Sequence, residues 1–442
     1  MNKFLSCLAL SAMVSVCAYG QSGTNSPYSQ YGLGDLSDQG VGINKAMSGV
    51  GLAFRKGNEV NTVNPASYSA VDSLSMIVDA GISGQITHYN ENGNRLNAKT
   101  GGFDYVAALF RVYKHVGVSV GVLPYSNVGY SYSSIDRLPE LDMNVPIYYK
   151  GKGGLNQVLL GAGWRILKPL SVGVNASFLW GDINRSIGTV NTSFNSLAKE
   201  YSSTTYNYKL DFGIQYDQPI GKKNSDFLTI GATLGVGHNL KSDPTCTVMS
   251  KNTLQQKSDS TVYEITDGLS LPTTFGVGVA YRRTNVFRVG ADFQMQKWGS
   301  IDYPNYDATD DGADFVLKSG LLKDSYSLNV GGEWIPRYMS RNFLHRMTYR
   351  IGAGFTTPYY YINGKDGPKD FHASLGIGVP IVNGYNNRSV LNISVQWQRR
   401  SADELIKENT FRINIGLTFN ERWFMKWKVF SVMKLFESVL TH

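Results

Sequence analysis

The chain has 442 residues, of which 42% are hydrophobic and 17% are charged, and it carries a formal net charge of +8. This charge is modest for the length and is spread along the chain, so it does not indicate a nucleic-acid-binding surface. The composition includes 47 glycines and 27 tyrosines. Glycine allows strands to bend at barrel corners, and tyrosine suits a membrane–water boundary, so the composition is a first indication of a membrane β-barrel.

The N-terminus is predicted to be a signal peptide over residues 1–20. A short basic start is followed by an apolar run from Phe4 to Cys17, and small residues favour cleavage before Gln21. A lipoprotein acylated at Cys17 is the less favoured alternative, because the preceding Val16 is large and β-branched. The signal peptide predicts an exported protein, here of the cell outer membrane.

Residues 21–72 are predicted to form a hatch that plugs the barrel. They lack strand alternation, but they mix glycines with apolar residues such as Val41, Met47 and Phe54. A barrel of about fourteen strands encloses a lumen that its own side chains cannot fill, so another segment must close it. A disordered periplasmic leader is the alternative, which the apolar content disfavours.

Alternating segments predict a transmembrane antiparallel β-barrel over residues 73–420. Near the C-terminal end, Phe411 and Ile413 lie on one face of a strand, and Arg412 and Asn414 lie on the other. The same two-residue period recurs and predicts about fourteen strands, an even number as in bacterial barrels. The strands are predicted at 74–89, 102–112, 116–132, 154–166, 169–181, 205–217, 226–239, 272–283, 286–298, 325–335, 345–358, 370–382, 388–399 and 409–420.

Three features favour a membrane barrel over a water-soluble sandwich. The second face of each strand is polar at mid-strand, which suits a polar lumen. Connections alternate between short ones, such as 113–115, and long ones, such as 133–153 and 182–204. This alternation suits short periplasmic turns and long outer loops, and it predicts that both termini are periplasmic. Aromatic residues at strand ends suit interface girdles: Trp298, Trp334, Trp397, Tyr359, Tyr360 and Tyr361.

The C-terminal residues 421–442 depart from the strand pattern. Aromatic residues such as Trp423 and Phe436 alternate irregularly with Lys426 and Lys434. We expect a basic amphipathic tail that lies in the membrane interface. A frayed tail is the alternative.

Two short motifs and one proline support a family assignment. Asn64-Pro65-Ala66 precedes the first predicted strand, and the segment 271–278 reads Leu-Pro-Thr-Thr-Phe-Gly-Val-Gly. Pro124 lies inside the third predicted strand, where a residue without an N–H must occupy a break or a bulge. Together with the strand count, these motifs resemble the FadL family of outer-membrane transporters of long-chain fatty acids and other hydrophobic compounds.

The resemblance implies passive uptake of hydrophobic small molecules such as long-chain fatty acids, with hatch-gated lateral exit near the third strand. Pro124 is expected to hold the exit open, with Asn64, Pro65 and Ala66 facing it, although a bulge that only adjusts barrel shape is an equal alternative for Pro124. The expected partners are outer-membrane lipid and a hydrophobic ligand.

FadL-like barrels also include a scaffold that presents cargo for the type IX secretion system. The alternative function is therefore a non-transporting barrel that acts as a scaffold or partner in outer-membrane protein secretion or assembly. The long polar loops suit such protein contacts, whereas the hatch favours transport.

No catalytic constellation is present in the sequence, so no enzyme activity is predicted. There is no Gly-x-Ser-x-Gly motif in a strand–helix context. Cys246 is the only cysteine of the predicted mature chain, so it is expected to be a loop thiol without an internal disulfide. The histidines are isolated in sequence, so neither a metal nor a cofactor is expected: His88, His115, His238, His345, His372 and His442.

Overall fold

A computed structural model describes most of the chain. The described residues are 23–91, 93–138, 143–189, 196–221, 225–252, 257–309, 312–338, 340–381 and 389–422. The predicted signal peptide lies outside them, as does the predicted tail beyond Arg422. Within these ranges, no helix is long and apolar enough to cross a membrane.

Fourteen antiparallel strands form a closed barrel wall, which confirms the predicted fold class. The described strands, inside and outside the wall, are β1 (Asp35–Leu36), β2 (Ser75–Glu91), β3 (Asn94–Tyr113), β4 (Val116–Pro124), β5 (Ser126–Leu138), β6 (Met143–Arg165), β7 (Leu170–Thr189), β8 (Ser196–Ile220), β9 (Asp226–Gly235), β10 (His238–Leu240), β11 (Thr245–Asn252), β12 (Lys257–Glu264), β13 (Leu269–Leu271), β14 (Thr273–Arg283), β15 (Phe287–Lys297), β16 (Tyr303–Thr309), β17 (Gly312–Lys318), β18 (Ser325–Trp334), β19 (Thr348–Thr356), β20 (Tyr361–Ile362), β21 (Lys365–Asp366), β22 (Lys369–Ile381), β23 (Ser389–Ser401) and β24 (Lys407–Arg422).

The wall is made from β2 and β3, the broken strand β4–β5, and then β6 to β9, β14, β15, β18, β19 and β22 to β24. The ring closes where β24 pairs with β2, with Ser75 opposite Arg422. The barrel therefore extends two residues beyond the predicted boundary at 420. The helices are short: 3₁₀ helices at Pro27–Gln30 and Pro65–Ala70, α1 (Gly42–Lys45) and α2 (Phe343–Arg346).

Each wall strand turns an apolar face outward and a polar face inward. Leu160 and Ile351 are 60% and 63% exposed on the outer surface. Asp79, Asn175 and Asp292 are buried on the inner face. An outward apolar band with a polar interior is the arrangement that a barrel needs in a lipid bilayer.

Several predicted loops are strands instead. β6 begins at Met143 and β7 extends to Thr189, so the predicted loops at 133–153 and 182–204 are largely ladder. The next long connection folds back as β11 and β12, and β11 pairs with the outer end of β8. Beyond the apolar band, segments of mostly polar residues continue the backbone ladder. Such strands lack alternating apolar residues, so the sequence pattern could not reveal them.

The third wall strand breaks after Pro124, as the sequence predicted. β4 pairs with β3 only from Val106 onward, and β5 pairs with β6 and β1 but shares no ladder with β3 among the described residues. The wall between 94–105 of β3 and 126–138 of β5 is therefore not joined by a strand ladder. We call this region the wall gap.

We expect a charge in the apolar band to destabilise the barrel more than the same charge beyond it. Ile351 is the fourth of nine residues in β19, so Ile351→Arg should lower the unfolding free energy by about 2–4 kcal/mol. The control Ile135→Arg, near the outer end of β5, should cost about 0–1 kcal/mol. Denaturant titration in phospholipid vesicles measures both values, and equal losses would contradict the assigned band.

Candidate functional site: the barrel lumen and the wall gap

Residues Gly23–Asp72, which we call the hatch segment, contact the inner face of the wall at several strands. The backbone N–H of Ser48 donates to Ser374 Oγ at 2.8 Å. The backbone N–H of Gly51 donates to Asp292 Oδ2 at 2.6 Å. Such bonds satisfy polar groups of a non-helical segment inside the barrel, where unpaired groups are costly.

Asn64 holds the segment in shape and ties it to the wall. Its Oδ1 accepts from the backbone N–H of Ala66 at 3.1 Å and so caps the helix Pro65–Ala70. Its Nδ2 donates to Leu52 O at 2.7 Å and to Ile214 O, on β8, at 3.2 Å. The side chain therefore links two parts of the hatch segment with one wall strand.

A row of four wall glycines forms the seat of this helix. Gly117, Gly163, Gly173 and Gly213 are successive ladder partners on β4, β6, β7 and β8. A Cβ on Gly117 would lie 2.1 Å from Tyr68 O, and a Cβ on Gly173 would lie 2.4 Å from the carbonyl carbon of Pro65. We call these four residues the glycine row.

Sequence reasoning assigned strand glycines to barrel curvature and therefore missed the glycine row. The structure gives these four a different role, because only a residue without Cβ permits the hatch segment to lie this close to the wall. The signal was present as glycines at one level of four neighbouring strands, but it becomes visible only when the register is known.

The beginning of the hatch segment lies in the wall gap. β1 pairs with the start of β5, with Leu36 opposite Ser126. The backbone N–H of Ser37 donates to Tyr125 O at 2.9 Å, and Asn25 Nδ2 donates to Lys99 O on β3 at 3.1 Å. The hatch segment thus bonds to both edges of the gap. The described chain accordingly begins towards the long-loop end, while the barrel strands begin and end at the short-turn end.

The structure does not bring the predicted site residues together. The carbonyl of Pro124 accepts from Gln39 Nε2 at 3.4 Å, at the gap. Asn64, Pro65 and Ala66 lie instead against β6 to β9, on the glycine row. Within the described residues, no hydrogen bond joins Pro124 to these three. The expectation that Asn-Pro-Ala faces the gap is therefore wrong, because the motif packs on the glycine row, in another part of the wall.

A cavity of about 1130 Å³ remains between the hatch segment and the wall gap. Residues of both gap edges line it, including Asp104 on β3 and Asn127 on β5. Its lining is largely polar. Arg400 Nη1 lies 2.7 Å from Asp35 Oδ1, and Lys45 Nζ lies 3.0 Å from Asp104 Oδ2.

Buried ion pairs fix the hatch segment at the short-turn end. Arg288 Nη2 lies 2.7 Å from Glu59 Oε2, and its Nε lies 3.1 Å from Glu333 Oε1. Lys56 Nζ lies 2.8 Å from Glu59 Oε1, and Arg350 Nε lies 3.1 Å from Glu333 Oε2. We call these five residues the ion clamp. Two of them belong to the hatch segment and three to the wall, so the ion pairs join the two parts.

The charge of Glu59 depends on this clamp. Burial disfavours its carboxylate, but Arg288 and Lys56 outweigh burial and hold the pKa of Glu59 below its ordinary value. Truncating one partner of such a buried group leaves the other charge uncompensated, which costs several kcal/mol.

An aromatic cluster packs against the hatch segment on the long-loop side of the barrel. Tyr359 and Tyr360 are buried at 6% and 7% exposure, and Tyr360 stacks on Tyr31 of the hatch segment with ring centroids 5.1 Å apart. Tyr359 Oη donates to Gly34 O, and Trp298 packs against Tyr359 with 1% exposure. The expectation that Tyr359, Tyr360 and Trp298 form an interface girdle is therefore wrong. These loop residues fold inward because the hatch segment offers them an apolar surface.

Residues 1–429 match the family model described as BamG. The chain belongs to the BamG family. No curated protein matches this BamG-family chain.

Solved structures share the fold. The CymD monoaromatic hydrocarbon channel is 12% identical with a TM-score of 0.57, over 89% of this chain and 99% of that one. The Ralstonia pickettii toluene transporter TbuX is 14% identical with a TM-score of 0.60, over 87% and 99%. A Pseudomonas aeruginosa FadL homologue is 11% identical with a TM-score of 0.60, over 87% and 99%. The FadL resemblance is thereby confirmed at the level of the fold.

The described residues contain no group of three or more His, Cys, Asp or Glu side chains placed to hold a metal ion. Cys246 is buried. It lies on β11 rather than in an irregular loop.

We predict that Gly173→Ala displaces the hatch segment while the barrel stays folded. The new Cβ would meet backbone atoms of Pro65, which cannot move as a flexible side chain can. We expect a loss of about 1–3 kcal/mol and faster trypsin cleavage at Arg55 and Lys56. The matched control is Gly84→Ala, where a Cβ would meet nothing within 4 Å. Equal protease resistance of the two variants would contradict the packing of the helix Pro65–Ala70 on the glycine row.

We also predict that acid loosens the ion clamp. A carboxyl with a lowered folded-state pKa contributes stability above its unfolded pKa of about 4.3, and this contribution is lost as pH falls through the folded pKa. Amide exchange of residues 51–63, corrected for intrinsic pH dependence, should therefore be slow at pH 7 and rise below about pH 4.

The variant Glu59→Gln supplies the comparison. It should exchange faster than wild type already at pH 7, because Arg288 and Lys56 lose their shared partner. Identical exchange of the two proteins across this range would exclude Glu59 from the clamp.

Proposed function

We propose that the protein is an outer-membrane channel for passive uptake of hydrophobic small molecules, with lateral release through the wall gap. The supporting observation is the cavity of about 1130 Å³ that adjoins both edges of the gap. The solved neighbours are described as channels or transporters of monoaromatic hydrocarbons and toluene. Both the outer-membrane location and the lipid contact are part of this proposal.

The chemistry of the cavity lining limits the class of ligand that the cavity suits. Arg400 and Lys45 already have acidic partners, and amides and hydroxyls form most of the remaining lining. A purely apolar molecule gains little from such a surface, since polar groups lose hydration without new partners. The proposed ligand is therefore a hydrophobic molecule with a polar group, a class that includes fatty acids.

Lateral release gives such a ligand an apolar destination. Each methylene buried in the bilayer contributes about 0.8 kcal/mol, so exit through the gap avoids crossing water. Release requires the hatch segment to move, because β1 and Asn25 occupy the gap edges. In this proposal Pro124 ends β4 and so holds open the gap between β3 and β5, and Gln39 is the hatch-segment residue that donates to its carbonyl.

A disulfide that locks β1 to β5 should stop uptake. Leu36 and Ser126 are direct ladder partners, so Leu36→Cys with Ser126→Cys, in a Cys246→Ala background, should cross-link under oxidation. We expect uptake of a radiolabelled fatty acid into whole cells to fall at least tenfold when the bond forms and to recover on reduction. Uptake that continues through the cross-linked protein would rule out exit at this place.

A second candidate is a non-transporting barrel that acts as a scaffold or partner in outer-membrane protein secretion or assembly. The observation that favours it is that the hatch segment is held at both ends of the barrel, by the ion clamp and by the aromatic cluster around Tyr359. Buried charge pairs and packed rings fix a plug more firmly than a frequently opened gate requires. In this alternative the outer hairpins β11–β12 and β16–β17 offer surface for a protein partner.

Native mass spectrometry separates the two candidates. Mature protein purified from outer membranes in mild detergent would be compared with Pro124→Ala and with a deletion of 21–72. Copurified hydrophobic small molecules that are lost or altered in the deletion variant support transport. An empty barrel that retains a stoichiometric protein partner would overturn transport in favour of the scaffold.

A further inference from the structure

The cavity at the wall gap is lined by residues from both faces of the wall. Gln396 lies on the inward face of β23. Asn156 of β6 and Asp182 of β7 lie on the outward faces of their strands, on the same sides as Leu160 and Phe178, which are 60% and 52% exposed. Because all three polar residues line one cavity, the cavity passes through the wall gap to the outer surface of the barrel.

The outer surface changes from apolar to polar at the level where the cavity opens. Towards the short turns, Val158 of β6 and Phe178 of β7 are exposed apolar residues. Towards the long loops, Lys152 and Asn184 are ladder-paired on the same outward faces and line the cavity. Between them lies Trp180, whose ring stacks on Phe178 with centroids 6.4 Å apart. Tryptophan favours the membrane–water boundary, so the gap opens at the level of lipid headgroups.

Side-chain amides are frequent in the inward part of the lining. Asn329 is 9% exposed, and its Oδ1 has no hydrogen-bond partner within the described residues. A buried acceptor of this kind requires a donor, and each amide also offers donors of its own. Six inward-facing amides line the cavity: Gln85, Gln294, Gln296, Asn329, Gln396 and Gln398.

The charges of the lining nearly cancel. Four lysine or arginine side chains and five aspartate side chains line the cavity. Arg400 and Lys45 are paired with Asp35 and Asp104. A headgroup phosphate only accepts hydrogen bonds and an ammonium group only donates them, whereas a hydroxyl does both, as the amides do. The lining therefore suits an uncharged headgroup with many hydroxyls.

We propose that the wall gap binds a glycolipid, whose sugar headgroup enters the cavity from the adjacent membrane leaflet while its acyl chains stay on the apolar outer surface of β6 and β7. The cavity of about 1130 Å³ is far larger than a single carboxyl group needs. Cavities of roughly 300–1,000 Å³ hold drug-sized ligands, so there is room for more than one sugar ring. The inference rests on the proposed membrane location and names a polar group for the proposed ligand class, but it does not require uptake.

The test uses full-length mature protein in nanodiscs with equal digalactosyldiacylglycerol, phosphatidylglycerol and phosphatidylcholine, followed by native mass spectrometry of the lipids that stay bound. Wild type should retain the galactolipid preferentially. Gly102 lies on the gap edge of β3 and lines the cavity, and a Cβ there would meet nothing within 4 Å. Gly102→Trp should fill this side of the cavity and abolish the preference. Gln294→Met with Gln396→Met should reduce it about tenfold, the effect of two lost hydrogen bonds.

The matched control is Gly84→Trp on the neighbouring strand β2. A Cβ on Gly84 would also meet nothing within 4 Å, but Gly84 lies on the outward face and does not line the cavity. Gly84→Trp should retain the wild-type preference, as should Gln218→Met at the short-turn end. A wild type that retains phosphatidylglycerol or phosphatidylcholine as well as the galactolipid would overturn the proposal. So would an unchanged preference in Gly102→Trp or an equal loss in Gly84→Trp.

Two further measurements separate this inference from its neighbours. Displacement of the bound lipid by millimolar free galactobiose would identify a site for soluble sugar and overturn the glycolipid. Fatty-acid uptake into whole cells is measured on the same variants. Retention of the galactolipid without uptake would overturn uptake alone, whereas normal uptake by a protein that retains no galactolipid would overturn this inference alone.

Discussion

The requirement that backbone polar groups be paired in lipid governs this structure. A strand wall satisfies it only by closing on itself, and the pairing of β2 with β24 completes the ring. Closure with fourteen strands creates a lumen wider than its side chains can fill, and residues Gly23–Asp72 contact the inner face of the wall. The same requirement applies at the wall gap, where the backbone groups of the gap edges need other partners. Where β3 and β5 share no ladder, β1 pairs with β5 and Asn25 bonds to β3.

The hatch segment is held by contacts that differ along its length. The glycine row lets the backbone of the helix Pro65–Ala70 approach the wall directly, so this contact depends on shape. The ion clamp holds Lys56 and Glu59 by charge, and the aromatic cluster holds Tyr31 by packing. These interactions respond to different perturbations: an added Cβ, acid and loss of an aromatic ring. A movement that opened the gap at β1 could therefore leave the seat at Pro65 in place.

Much of the fold was predictable because strand period is a local property of the sequence. All fourteen wall strands and the break at Pro124 follow from alternation and from the missing proline N–H. The site was less predictable because it depends on register. The glycine row exists only when Gly117, Gly163, Gly173 and Gly213 align across four strands. The burial of Tyr359 and Tyr360 likewise depends on a hatch segment more than 300 residues away in sequence.

We propose that the hatch segment seals the lumen, and conductance across a planar bilayer tests this most directly. Full-length mature protein would be compared with a variant that lacks 21–72, after circular dichroism has shown that both are folded barrels. The account predicts no steady conductance for the full-length protein and a stable open channel for the deletion variant. Steady conductance of the full-length protein, or a silent deletion variant with an intact barrel, would contradict it.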